Sequence, residues 1–200
     1  MNTRPVGVLC GKDWLAHPQP DHLPLARQRE HVLLVSTLIE PGTSRAEVRD
    51  HIRRHLRDSL TQWLGLPLEA ITLISLPGHA PRLLIEGLTE PGLSISHENG
   101  LSVAAVNLDG PVGIDVMKTQ DVAHWQTVAL DYLGPQITCE LLSTPETLRP
   151  LAFVKAWCQR EALLKLHGQP LSEWTEHRPL AGKLVEVELS WPWVGVLALA

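Results

Sequence analysis

No two of the three cysteines, Cys10, Cys139 and Cys158, stand close enough to form a CxxC pair, and their number is odd. Neither a disulfide framework nor a thiolate zinc site is indicated by that spacing, and a reducing cytoplasm fits. No apolar run approaches the roughly 20 residues of a membrane helix, and Met1-Asn2-Thr3-Arg4-Pro5 lacks the apolar stretch of a signal peptide. The expectation is a cytoplasmic protein without a membrane partner. Positive charge is not in excess either: the formal net charge is -5, which argues against a nucleic-acid partner. The local exception is the His-Arg cluster from Arg45 to Arg57, which reads as a solvated helix face able to meet a phosphate. No internal repeat is visible.

What is present is enough to fold. Hydrophobic residues make up 44% of the 200 and charged residues 20%, the balance of a soluble globular chain rather than a disordered one. Residues 1 to 30, rich in Pro and His, read as an irregular arm. His31 to Ile39 is a β-branched apolar run of strand length, stopped by Glu40-Pro41-Gly42. Ser44-Arg45-Ala46-Glu47 is a capping-box pattern, and Val48, Ile52, Leu56, Leu60 and Leu64 recur every four residues after it, with Gly65 as the stop. That predicts a helix with one core face and one face carrying Arg49, Arg53, Arg54, Arg57 and Asp58.

Short strands are predicted at Ile71 to Leu76, Arg82 to Glu86, Leu93 to Ser96, Leu101 to Leu108 and Val112 to Met117, with Pro-Gly, Asn-Gly and Asp-Gly turns between them. They read as one antiparallel meander. From Asp121 to His167 the pattern is helical, broken at Leu133-Gly134-Pro135, and its last long helix runs from about Leu148 to Leu166 before Gly168. Lys183 to Leu189 and Val194 to Leu199 predict a closing hairpin. The class is α+β.

Three stretches carry chemistry: Ser94-Ile95-Ser96-His97-Glu98-Asn99-Gly100, Val112-Gly113-Ile114-Asp115-Val116-Met117, and Trp157-Cys158-Gln159-Arg160-Glu161-Ala162-Leu163-Leu164-Lys165. On a strand, Val112, Ile114 and Val116 share one face and Gly113, Asp115 and Met117 the other, so Asp115 points away from an apolar stripe. A carboxylate there is costly to bury unless paired or metal-bound. The plainer reading is a strand-end Asp capping a turn. On the last helix, Phe153, Trp157, Glu161 and Lys165 share a face at spacing four, and the plain reading of Glu161 with Lys165 is a surface ion pair. His51 and His55 lie one helical turn apart but lack a third ligand, so they read as exposed helix histidines. The seven tryptophans are scattered, which favours packing over a ligand-stacking surface.

Together, and in this order and spacing, the three stretches resemble the 4'-phosphopantetheinyl transferase superfamily, whose signature is an SH pair, a GIDxE strand and a W-x-x-(K/R)-E-(S/A)-x-x-K helix. The resemblance covers about residues 44 to 174. It implies the surfactin-synthetase-activator type of transferase: a single, monomeric chain of two pseudo-symmetric lobes, residues 1–110 and 111–200. Each lobe would have a small antiparallel sheet and a long helix, with the active site in the cleft between them. The implied reaction moves the phosphopantetheine arm of coenzyme A onto a serine of an apo acyl or peptidyl carrier protein, with magnesium, leaving 3',5'-ADP. By the same resemblance Asp115 and Glu161 hold the metal, Glu161 is also the base for the carrier serine, and Lys165 stabilises the leaving phosphate. His97 and Ser96 of the SH pair, together with Arg57, Arg82, Arg160 and Lys165, are the implied coenzyme A contacts.

Two positions depart from the family pattern. The second acid of GIDxE is Met117, and a thioether is a poor magnesium ligand. Glu98, next to the SH pair, is the expected replacement, against the plainer reading of a solvated turn Glu. His97 and Glu98 can then both line the site only if the chain turns at Asn99-Gly100. The family also places a basic residue before Pro81, where Ala80 stands, so His79 or Arg82 must substitute. These departures keep open a member that binds coenzyme A or a carrier protein without turnover. A nucleic-acid-binding domain using the basic helix has only local charge behind it.

Overall fold

The computed structural model describes residues 25–29, 31–76, 78–176 and 180–200. Most of the arm expected over residues 1–30 lies outside them, as does Cys10. The exception is β1 (Leu25–Arg29), which pairs antiparallel with β2 (Val32–Leu38). Its sequence, LARQR, lacks the β-branched apolar pattern by which strands are read, because an edge strand can form through backbone pairing alone.

Helix α1 (Arg45–Leu64) begins at Ser44, whose side chain accepts from the Glu47 amide at 3.3 Å while the Glu47 carboxylate accepts from the Ser44 amide at 2.9 Å. Gly65 ends it in the left-handed conformation, φ 66°. Ile52, Leu56 and Leu60 are fully buried, as their spacing predicts. Ser44→Ala should lower the unfolding free energy by about 1 kcal/mol, read from denaturant melts; no change would mean that tertiary packing alone sets the helix start.

The expected meander is corrected. Strands β3 (Ile71–Ile74) and β4 (Arg82–Ile85) form a separate hairpin, and β5 (Gly92–Glu98) and β6 (Leu101–Asn107) join the first sheet in the order β1-β2-β6-β5. β7 (Val112–Lys118) leaves them and belongs to a third sheet, β7-β9-β8, with β8 (Lys183–Val187) and β9 (Trp193–Leu199). Turn residues mark where a chain reverses but not which strand it then pairs with. The closing hairpin stands as expected. So do the helices α2 (Trp125–Tyr132), α3 (Pro135–Ser143) and α4 (Arg149–Leu166). The class is α+β: four helices and three small antiparallel sheets among the described residues.

Three apolar clusters hold these elements. One joins α1 to Leu33, Val35, Ala104 and Val106 of the first sheet, and a second joins α2, α3 and α4 to Val196 and Ala198. The third lies between the sheets, where Leu101, Val103 and Ala105 of β6 meet Val112, Ile114 and Val116 of β7. β6 therefore contributes both of its faces to cores, and all seven of its residues are buried. Among the described residues, no helix is long and apolar enough to cross a membrane.

Candidate active site

The two faces of the Val112-Gly113-Ile114-Asp115 strand have separate tasks. Val112 and Ile114 fill the inter-sheet core. Gly113 lies directly beneath α4: a Cβ added there would stand 1.9 Å from the Ala162 carbonyl oxygen and 2.7 Å from the Leu166 amide nitrogen. Only a glycine lets helix and strand backbones approach so closely. That approach brings the α4 face of Trp157, Glu161 and Lys165 over Asp115.

Asp115 is 7% exposed and sits mid-strand, so it is not a strand-end turn cap. Its Oδ1 accepts from Lys165 Nζ at 2.7 Å and from Ser96 Oγ at 2.9 Å, and Lys165 also donates to the Ile114 carbonyl at 3.0 Å. The surface-pair reading of Glu161 with Lys165 is thus replaced: the ion pair of Lys165 crosses from α4 to β7. Glu161 is half-buried, and its carboxyl titrates above the ordinary range, first because burial disfavours its charge and second because Asp115 is nearby; Lys165 and Arg160 oppose the shift. Cys158, wholly buried beneath them, has its thiol pushed well up by burial and then by Asp115. It is a packed, unreactive thiol.

An open cavity of about 400 Å³ gathers Ile95, Ser96, His97, Glu98, Asp115, Val116, Met117, Trp157, Glu161 and Lys165. Six of the expected site residues, Ser96, His97, Glu98, Asp115, Glu161 and Lys165, therefore line one space although they come from β5, β7 and α4. The chain does turn at Asn99-Gly100, and both His97 and Glu98 line the cavity. β5 runs extended through Glu98, and it is the edge strand of its sheet, so side chains from either face reach a cavity at that edge. His97 Nδ1 lies 2.8 Å from Oγ of the fully buried Ser102. Burial of its ring, then the charges of Arg49, Lys165 and Arg53, hold its pKa below the usual histidine value.

The remaining expected contacts lie outside this cavity. Arg57 donates to the Leu68 carbonyl at 3.2 Å, and Arg160 to the Ser172 carbonyl at 3.0 Å. Arg82 forms a two-pronged pair with Glu90 at 2.8 and 2.6 Å through Nε and Nη2, so its charge is already matched by a carboxylate. Arg49 and Arg53, whose charges reach His97, were read from the sequence only as members of a charged helix face and given no place at the site. Their positions four residues apart on the basic face of α1 were the available signal. His51 and His55 stack edge to face at 6.2 Å.

Magnesium takes oxygen donors, keeps several waters, and is commonly held by one or two carboxylates with substrate phosphates. Asp115 and Glu161 fit that description by the chemistry of their donors, and both line the cavity. Glu98 fits less well. Its Oε1 accepts from the Asn99 amide at 2.6 Å and its Oε2 from the Lys118 amide at 3.2 Å, so each oxygen keeps one lone pair but the carboxylate is already held by backbone. Among the described residues no three His, Cys, Asp or Glu are grouped closely enough to hold a metal by themselves.

An edge-strand aspartate and a helix glutamate and lysine are thus brought over one another by a glycine. Residues 111–184, which contain all three, match the model of the 4'-phosphopantetheinyl transferase superfamily. A protein of Synechocystis sp. provisionally named a 4'-phosphopantetheinyl transferase is 24% identical over 96 residues, 48% of this chain. The matched stretch spans 39% of that relative's length. Both findings support membership of the superfamily.

Proposed function

We propose that the chain transfers the 4'-phosphopantetheine of coenzyme A to a serine of an apo acyl or peptidyl carrier protein, releasing 3',5'-ADP. The observation that carries this reading is the convergence of His97, Asp115, Glu161 and Lys165 on one cavity. Residues 1–110 and 111–200 would be the two lobes, each with a sheet and one long helix, and the cavity would lie at their junction. A single chain supplies both walls, so a monomer suffices. Free Cys139 and Cys158 suit a reducing cytoplasm.

Magnesium, held by Asp115 and Glu161 with substrate phosphates and water, would neutralise charge on the pyrophosphate of coenzyme A. Glu161 accepts the proton of the carrier serine, directly or through water. The serine oxygen bonds to the phosphorus that bears pantetheine, and the bond from that phosphorus to the adenosine phosphate breaks. Lys165, at the rim between α4 and β7, faces the charge that develops on the departing 3',5'-ADP. His97, with Nδ1 engaged by Ser102, would present Nε2 to a phosphate oxygen. Burial of Glu161 suits its role, since a carboxylate raised above its ordinary range is a better base.

Intact-mass measurement of apo carrier protein incubated with this protein, coenzyme A and magnesium tests the proposal. Addition of one phosphopantetheine mass is expected, and its loss with a chelator and recovery with magnesium. Met117 in place of an acid favours a second reading, a member that binds coenzyme A without turnover. No mass addition across several carrier types, with coenzyme A binding retained, would decide for it.

A further inference from the structure

β5 is the edge of one sheet and β7 the edge of another, and the two edges meet side by side without a backbone ladder between them. Buried strand amides left in that way are costly unless something accepts from them. Here side chains do so in step. Ser94 Oγ accepts from the Ile114 amide at 3.1 Å, Ser96 Oγ from the Val116 amide at 3.3 Å, and Glu98 Oε2 from the Lys118 amide at 3.2 Å. The three acceptors alternate on one face of β5, and their three donors alternate along β7. Both serines are 5% exposed.

Ser96 differs from Ser94 in one respect: its hydroxyl also donates to Asp115 Oδ1 at 2.9 Å. A serine hydroxyl has a single proton to give. With that proton on Asp115 and a lone pair on Val116, Ser96 has no donor left for a phosphate. We propose that Ser96 is a positioning residue for Asp115 rather than a coenzyme A contact, and that its hydroxyl sets the carboxylate against Glu161 and Lys165, while the Ser94 and Glu98 rungs only join the two sheets. The inference rests on the functional reading above, because the carboxylate it positions is the magnesium ligand of that reading. Ser96 and Lys165 hold the same oxygen from opposite walls of the cavity, so the orientation of Asp115 depends on the two sheets keeping their register.

Ser94 is the internal control, since it makes the same amide contact but does not touch Asp115. Magnesium binding to the coenzyme A complex, followed by calorimetry, is compared among the wild-type protein, Ser94→Ala and Ser96→Ala, together with their Tm. Both variants should lose a similar few degrees. Ser94→Ala should keep magnesium affinity within about twofold, whereas Ser96→Ala should weaken it about 10- to 100-fold. Equal affinities in the two variants, whether both unchanged or both reduced, would overturn the proposal, since the ladder would then act only through stability. Should Ser96→Ala fail to fold, Ser96→Cys, which puts a weak donor in the same place, is read against Ser94→Ala in the same way. A wild-type protein that binds coenzyme A but takes up no magnesium would instead overturn the functional reading, and this inference with it.

Discussion

Glu161→Gln is expected to slow carrier modification by about 10³-fold while leaving coenzyme A binding within a few-fold. Gln preserves the size of the side chain and a hydrogen-bonding end but cannot accept the serine proton. The same change should leave Tm unchanged or raised. Burial and the neighbouring Asp115 both disfavour the Glu161 charge in the folded protein, so its neutral replacement relieves a cost that folding otherwise carries. Loss of rate without loss of stability is the combined signature of a functional group placed against its own electrostatics. It is read from single-turnover mass measurements beside a thermal melt. A Gln variant retaining more than about a tenth of the parent rate would mean that another group takes the proton.

Gly113→Ala should be the most damaging single-methyl change in the described chain, lowering stability by about 3 kcal/mol and Tm by roughly 10 °C. The three atoms nearest the added Cβ, at 1.9, 2.7 and 2.9 Å, are all backbone atoms of α4, and none can swing aside as a side chain could. Relief requires α4 to move off β7, and that motion carries Glu161 and Lys165 away from Asp115. Activity should therefore fall even in the folded fraction. Gly182→Ala is the contrast: its closest neighbours, at 2.8 and 2.9 Å, are the methyl ends of Leu166 and Leu163, which can adjust, and it should cost less. Equal melts for the two variants would show that the helix accommodates the methyl.

The local elements whose causes are local were legible. The capping box at Ser44 and Glu47, the core face of Ile52, Leu56 and Leu60, the Gly65 stop and the shared face of Trp157, Glu161 and Lys165 all follow from spacing and side-chain chemistry over a few residues. The separation of Ile114 from Asp115 onto opposite faces of one strand follows from its period of two. What could not be read was the sorting of strands into three sheets, because a turn signal is silent about partners far along the chain. The charged strand β1 was missed for the same reason: its partner, β2, supplies the reason to be extended.

The site divides along that line. Its residue types, a carboxylate in an apolar strand and a Glu and Lys one turn apart on a helix, are properties of the sequence alone, because composition and period determine which chemistry is carried and which face displays it. Their meeting was decided by tertiary structure. Lys165 takes Asp115, 50 residues away, as its partner, and Ser96 reaches the same carboxylate from another sheet. Both contacts exist because Gly113 admits α4 to β7 and because β5 and β7 lie edge to edge, and proximity of that kind arises only when separate elements pack.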